Sequence, residues 1–227
     1  MTEAPPPVPA GLRAAGVVAV LRAPDADAAV SATDALVRGG VTGIEITYST
    51  PDAAEAIARI AERHGDAVYL GAGTVLTPEH AVEAVGAGAV FLVSPGLDES
   101  LAIAMRATGA AVLLGALTPT EVMAARRLGS AVVKLFPASL GGPSYLRSLR
   151  GPFPTTPLMP TGGVTSENLG EWYAAGAVAV GAGSELCSRA AMAAGRWDEI
   201  EATARRFAAA LAAVPDAQRA QAIGPTA

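Results

Sequence analysis

The chain has 227 residues, of which 51% are hydrophobic and 16% charged, and its formal net charge is −5. The acidic balance, the absence of a basic cluster and an aromatic content of 4% argue against a nucleic-acid partner. No apolar run is long enough to span a membrane, residues 1–10 lack the pattern of a signal peptide, and a single cysteine excludes an internal disulfide. We therefore expect a cytoplasmic protein with no membrane partner.

Eight short runs rich in β-branched residues divide the chain at regular intervals. They predict strands at 17–22, 43–49, 68–75, 90–96, 111–117, 131–137, 158–164 and 177–184. An Ala-rich stretch of helical period follows each run, except that the stretch after the sixth is shorter and contains Gly and Pro. We predict one domain over 11–213, preceded by a flexible Pro-rich arm at 1–10 and followed by a flexible tail at 214–227. An N-terminal helix is the alternative to the arm before the first strand.

Capping signals mark the helix boundaries between these strands. A hydroxyl residue before proline is typical of a helix start, and it occurs at Ser49-Thr50-Pro51, Thr77-Pro78 and Thr118-Pro119. Glycines just beyond the periodic stretches predict helix ends at Gly39-Gly40, Gly86, Gly109, Gly129 and Gly176.

Strands that alternate with helices indicate parallel βαβ units. Eight such units in about 200 residues fit an α/β fold of the (β/α)₈ TIM-barrel type. A doubly wound open sheet is the alternative, but it usually carries a Gly-rich fingerprint after its first strand. The residues at that point, Val20 to Pro24, contain no glycine, so the pattern favours the barrel.

Lys134 is the single lysine among 16 basic residues, and it lies in the apolar run AVVKLFP. Strand alternation puts it on the face of Val132 and Phe136, which we expect to point into the barrel. A neutral amine there can attack a carbonyl to form a Schiff base, which an arginine cannot do. The alternative is a structural lysine, held in an ion pair or extended to the rim.

Glu45 raises the same question on the second predicted strand. It shares a face with Thr47, opposite Ile44 and Ile46, and a carboxylate inside a barrel is costly unless it is paired. It could act as a general acid and base during imine chemistry. It could equally be a structural partner of Lys134 or Arg22.

Three further groups lie at predicted strand ends, where barrel enzymes bind substrate. Thr161-Gly162-Gly163 and Gly181 to Ser184 end the last two strands, where glycines let backbone N–H groups approach a phosphate or merely form tight turns. Arg22 ends the first strand and could bind a carboxylate or form a surface ion pair. No cluster of His, Cys or carboxylates predicts a metal.

The motifs GIEITYSTP, LGAGTVLTPE, FLVSPGLDE, VVKLFPAS and LMPTGGVTSENLGEW occur in this order between about Val17 and Leu186. Together they resemble the 2-keto-3-deoxy-6-phosphogluconate (KDPG) and 4-hydroxy-2-oxoglutarate (KHG) aldolases. The resemblance implies a homotrimeric (β/α)₈ class I aldolase that needs no metal or other cofactor. The implied reaction cleaves a phosphorylated keto acid to pyruvate and glyceraldehyde 3-phosphate.

The resemblance also implies roles for individual residues. Lys134 matches the Schiff-base lysine of the family and Glu45 its general acid and base. Thr74 and Thr161 match contacts to the pyruvoyl end and the reacting hydroxyl. The phosphate-binding positions match Gly162, Gly163, Gly183 and Ser184.

One position departs from the pattern of many members, which have an arginine where this chain has Ser49. A branch of the family has instead an arginine at the end of the first strand, and we therefore assign the substrate carboxylate to Arg22. The departure leaves the gluconate and galactonate epimers, and unphosphorylated KHG, open as substrates. A metal-free phosphosugar epimerase and a non-catalytic phosphate-binding barrel remain the alternatives of other classes.

Overall fold

The computed structural model describes residues 6–221. Its eight strands are β1 (Val17–Leu21), β2 (Gly43–Thr47), β3 (Tyr69–Gly73), β4 (Phe91–Val93), β5 (Ala111–Ala116), β6 (Val132–Leu135), β7 (Leu158–Pro160) and β8 (Val180–Ala182). The helices are α1 (Ala10–Ala15), α2 (Ala26–Arg38), α3 (Ala53–His64), α4 (Pro78–Gly86), α5 (Glu99–Ala107), α6 (Pro119–Arg127), α7 (Gly142–Arg150), α8 (Leu169–Ala174), α9 (Arg189–Ala193), α10 (Trp197–Ala212) and α11 (Asp216–Gln221).

The strands form one parallel sheet that curves back on itself. From β1 to β7 each strand pairs with the next, and β1 also pairs with β8. A bridge between Thr161 and Gly181 joins the ends of β7 and β8. This pairing confirms the predicted (β/α)₈ barrel and excludes the doubly wound sheet.

Strand alternation separates two apolar cores. Inward-facing residues fill the barrel, among them Val18, Phe91, Leu113 and Val132. Outward-facing residues such as Ile44, Ile46, Val133 and Leu135 pack under the helices. The side chains of Glu45 and Lys134 therefore project into the barrel, as the alternation predicted.

Two of the three predicted helix starts are confirmed. The Thr77 hydroxyl accepts a hydrogen bond from the His80 N–H, and Thr118 forms a capping box with Glu121. The prediction at Ser49-Thr50-Pro51 is wrong, because α3 begins at Ala53. The hydroxyls of Ser49 and Thr50 have other partners at the mouth of the barrel, Arg22 and the Ala23 N–H.

The predicted helix ends are also largely confirmed. Gly40, Gly109, Gly129 and Gly176 follow helices and have positive φ angles. Gly86 differs, since it is the last residue of α4 and the positive φ of 111° occurs at Gly88. The seventh strand is shorter than predicted, because Gly162 and Gly163 have φ angles of 96° and 76°, which do not continue a strand.

Both predicted flexible ends contain ordered structure. Val8 is buried and α1 begins at Ala10, so the arm predicted at 1–10 is at least partly packed, and 1–5 lie outside the described residues. In the tail predicted at 214–227, Val214 is buried and Asp216–Gln221 is helical. Residues 222–227 also lie outside the described part of the chain.

Helix α1 closes the barrel at the end opposite the predicted site. Leu12 is fully buried and packs with the inward-facing core. The Gly11 Cα lies against the Tyr69 ring, which stacks on Phe91 with ring centroids 4.7 Å apart. The lower half of the barrel is thereby an apolar floor beneath Lys134 and Glu45.

We expect Leu12→Ala to lower the free energy of unfolding by about 3 kcal/mol, because it leaves a cavity in this floor. Leu140→Ala is the matched control, since Leu140 is 73% exposed and its truncation should change stability by less than about 0.5 kcal/mol. Chemical denaturation of both variants measures the difference. Equal stabilities would contradict the role of α1 as the floor.

Candidate active site

An amine and a carboxylate meet inside the barrel. Lys134 projects from the middle of β6, and its Nζ lies 3.4 Å from Glu45 Oε1 on β2, on the other side of the barrel. Lys134 is 2% exposed and Glu45 is fully buried. The Phe136 ring lies on the same face of the strand, with its centroid 5.4 Å from Nζ. The nucleophile and base predicted from the sequence are therefore brought together.

Two glycines on the inner face allow close approaches in the barrel near this pair. In the parallel register, Thr47 of β2 aligns with Gly73 of β3, and Lys134 of β6 aligns with Gly115 of β5. A Cβ on Gly73 would overlap the Glu45 carboxylate, and a Cβ on Gly115 would overlap the backbone of Pro95. The absence of a side chain at Gly73 leaves room for the Glu45 carboxylate, and its absence at Gly115 lets the backbone of Pro95 approach β5.

Two polar atoms in the barrel are buried without a hydrogen-bond partner in the described chain. They are Glu45 Oε2 and Thr161 Oγ1. An unsatisfied buried polar group costs about 1–3 kcal/mol. A polar ligand in the barrel could form hydrogen bonds with both atoms. The Lys134 amine lies in the same barrel and could react with a carbonyl group of such a ligand.

Arg22 lies at the rim, directly after β1. Its Nη1 donates to Ser49 Oγ at 3.3 Å and to Thr74 Oγ1 at 3.5 Å. It forms no ion pair within residues 6–221. Gly73, the residue before Thr74, packs against Glu45. Arg22 therefore lies close to the buried pair.

The backbone at Thr74 is strained. Its φ of 54° lies in the left-handed region, which is costly for a β-branched residue. Strain of this kind amounts to about 1–3 kcal/mol and is concentrated at functional sites. The conformation gives Thr74 a place at the barrel mouth next to Arg22.

The predicted phosphate-binding residues lie at the same rim, on the loops after β7 and β8. The Thr161–Gly181 bridge joins the bases of these loops. A Cβ at Gly183 would meet nothing within 4 Å, so the backbone there borders open space, and Ser184 is exposed. No hydrogen bond in the described chain links Gly162, Gly163, Gly183 or Ser184 to Lys134 or Glu45.

Sequence reasoning assigned Gly73, Thr47 and Ser49 no part in the chemistry of the site. Thr47 Oγ1 donates to the Leu21 carbonyl at 2.8 Å and lies 2.7 Å from Ser49 Oγ. The alternation that put Glu45 in the barrel also puts Thr47 there and could have indicated it. The role of Gly73 depends on the β2–β3 register, which a single sequence does not supply.

Other reactive groups lie outside this site. Burial raises the pKa of the Cys187 thiol to about 12, so the thiol is a poor nucleophile at neutral pH. Within residues 6–221, no three His, Cys, Asp or Glu side chains are grouped to hold a metal ion. No helix in the described chain is both long and apolar enough to cross a membrane.

The chain matches a family model over most of its length. The model is described as "Aldolase: KDPG and KHG aldolase" and covers residues 8–203. The chain belongs to this aldolase family. It is therefore a carbon–carbon lyase. Its structure has the barrel, the buried lysine and the buried glutamate that the sequence predicted.

Individual relatives agree with the family assignment. A 2-dehydro-3-deoxy-phosphogluconate aldolase of Treponema pallidum is 37% identical over 84% of this chain and 90% of its own. A KHG/KDPG aldolase of Escherichia coli K12 is 37% identical over 83% of this chain and 89% of its own. The KDPG aldolase of Legionella pneumophila, solved with pyruvate as a covalent carbinolamine, is 31% identical, with a TM-score of 0.81, and covers 87% of this chain and 96% of its own.

We expect Gly73→Ala to lower the kcat/KM of aldol cleavage by about a hundredfold, because a displacement of the Glu45 carboxylate by about 1 Å is enough for such a loss. Gly86→Ala is the matched control, since a Cβ there meets nothing within 4 Å and should leave activity unchanged. Steady-state kinetics on both variants, with circular dichroism to confirm folding, measures the effect. Full activity of folded Gly73→Ala would contradict the close packing on Glu45.

Proposed function

We propose that the chain cleaves KDPG to pyruvate and glyceraldehyde 3-phosphate through an imine on Lys134, and that it also accepts KHG. The observation that carries the proposal is the 3.4 Å contact between Lys134 Nζ and Glu45 Oε1 inside the barrel. An amine held beside a proton acceptor is the arrangement that imine formation and carbon–carbon cleavage both need.

In the first step the Lys134 amine adds to the C2 carbonyl of the substrate. The resulting carbinolamine loses water and becomes an iminium. The Legionella pneumophila KDPG aldolase, a relative with the same fold, was captured with pyruvate as a covalent carbinolamine, which supports this step. Burial of Lys134 favours the step further, because the barrel excludes bulk water from the reacting carbon.

In the second step the Glu45 carboxylate removes the proton of the C4 hydroxyl, through one water molecule. The C3–C4 bond breaks, its electron pair moves into the iminium to give an enamine, and C4 becomes the aldehyde of glyceraldehyde 3-phosphate. The enamine takes a proton at C3 and water hydrolyses the iminium, which releases pyruvate and restores the amine. The buried Glu45 Oε2 and Thr161 Oγ1, which have no partners in the described chain, support contacts to the reacting hydroxyl.

The two ends of the substrate would be held at the rim. Arg22 would bind the carboxylate, because it is a cation with hydroxyl contacts and no ion-pair partner in residues 6–221. Gly162, Gly163, Gly183 and Ser184 would bind the phosphate through backbone N–H groups and a hydroxyl. Thr74, which accepts from Arg22, would contact the pyruvoyl end.

Membership in the aldolase family favours aldol cleavage over the two alternatives of other classes, a metal-free phosphosugar epimerase and a non-catalytic phosphate-binding barrel. The phosphogalactonate epimer is less supported than KDPG. A comparison of kcat/KM on KDPG, its galactonate epimer and KHG separates the three substrates. We also propose a cytoplasmic homotrimer, and the exposed Val82, Ile103 and Met123 on three successive helices support an oligomer.

The imine can be tested directly, because the sequence contains one lysine. We expect incubation with pyruvate and borohydride to add one reduced pyruvate, located by peptide mass spectrometry at Lys134. The Lys134→Arg variant should fold, add nothing to that peptide and lose aldol cleavage, since a guanidinium stays protonated. An unmodified Lys134 in the wild-type protein, or turnover by Lys134→Arg, would refute the proposal.

Arg22→Ala tests the carboxylate assignment. We expect KM to rise about 10- to 100-fold with a smaller change in kcat, since hydrogen bonds to charged groups contribute about 1.5–3 kcal/mol. Arg126→Ala, on the exposed side of α6, is the control and should match the wild type. An unchanged KM for Arg22→Ala would assign the carboxylate to another group.

A further inference from the structure

A chain of hydroxyl groups holds the Arg22 side chain from the neighbouring strand. We infer that Ser49 is a positioning residue, which orients the Arg22 guanidinium toward the substrate carboxylate without neutralising its charge. The inference rests on the proposed function and goes beyond it, because Ser49 is neither a predicted contact of the substrate nor a group of the reaction.

The direction of the hydrogen bonds follows from counting protons. Each hydroxyl has one proton to donate. Thr47 gives its proton to the Leu21 carbonyl at 2.8 Å. The 2.7 Å contact between Thr47 Oγ1 and Ser49 Oγ therefore requires Ser49 to donate. With its proton fixed on Thr47, Ser49 can only present lone pairs to Arg22 Nη1, which donates to it at 3.3 Å.

The residues on either side of Ser49 are anchored. The Tyr48 ring stacks on His80 with centroids 4.0 Å apart, and its hydroxyl donates to the His80 carbonyl at 2.8 Å. Thr50 is buried, and its hydroxyl accepts a hydrogen bond from the Ala23 N–H at 3.1 Å. Although Ser49 is exposed, its backbone is thus held from both sides.

The same contacts bracket Arg22. Thr47 bonds the carbonyl of Leu21 before it, and Thr50 bonds the N–H of Ala23 after it. The ends of β1 and β2 are therefore tied together on both sides of the arginine. Its backbone is fixed by these two bonds, and its guanidinium is directed by Ser49 after β2 and by Thr74 after β3.

The neutral character of these partners matters for binding. A carboxylate beside Arg22 would orient the guanidinium equally well, but it would form an ion pair that a substrate carboxylate must displace. Hydroxyl oxygens accept hydrogen bonds and leave the net positive charge in place. Preorganised charge of this kind binds an anion with little reorganisation.

The test uses the initial rate of borohydride trapping as a function of pyruvate concentration. Ser49→Ala should raise the half-saturating pyruvate concentration about fivefold, the loss expected for one hydrogen bond to a charged group that is partly exposed, with an unchanged maximal rate. Ser49→Thr keeps the hydroxyl and should restore binding to within about twofold of the wild type. Ser148→Ala, an exposed serine of α7, is the control and should behave as the wild type.

Two further variants separate positioning from other roles. In the Arg22→Ala background, Ser49→Ala should have no additional effect, because Ser49 acts through Arg22. Ser49→Asp should weaken pyruvate binding more than Ser49→Ala does, because the new carboxylate pairs with the arginine. Wild-type binding by Ser49→Ala or Ser49→Asp, or an additional effect without Arg22, would overturn the inference. A wild-type protein that traps no pyruvate would refute the proposed function instead.

Discussion

The contact between Lys134 and Glu45 constrains the rest of the barrel. Removing an amine and a carboxylate from water costs several kcal/mol per group if they are charged, and their mutual attraction offsets this only in good geometry. The 3.4 Å separation between Nζ and Oε1 is maintained because both residues lie on strands rather than loops. Replacing one partner would leave the other buried alone, so the site and the fold around it depend on the same two side chains.

The apolar floor and the polar residues of the candidate site lie at opposite ends of this barrel. Leu12 and the stacked rings of Tyr69 and Phe91 form an apolar floor at the N-terminal ends of the strands. The polar groups Arg22 and Thr74, together with the glycine loops after β7 and β8, lie at the C-terminal ends. This separation is general in TIM barrels, where loops at the C-terminal face vary without disturbing the core. Here it puts the Lys134 amine between a closed apolar floor and an open mouth.

Much of this arrangement could be predicted from the sequence, because it depends on period and composition. Alternation along β2 and β6 identified the inward faces of Glu45 and Lys134, and helical stretches between eight strands identified the barrel. The failures occurred where tertiary partners override local signals. Ser49 and Thr50 resemble a helix cap, but Arg22 and the Ala23 N–H use their hydroxyls. The close approach of Gly73 to Glu45 depends on strand register, which short-range patterns do not encode.

The burial of Lys134 also limits which carbonyl compounds can reach its amine. Aldehydes and keto acids condense with any accessible primary amine, and surface lysines are the usual targets of such adventitious adducts. This sequence has arginine at its other 15 basic positions, and its one lysine is 2% exposed. Apart from the α-amino group, carbonyl compounds can reach an amine only by entering the barrel mouth. In the proposed mechanism, the shape of the barrel mouth therefore decides which carbonyl compounds reach the Lys134 amine.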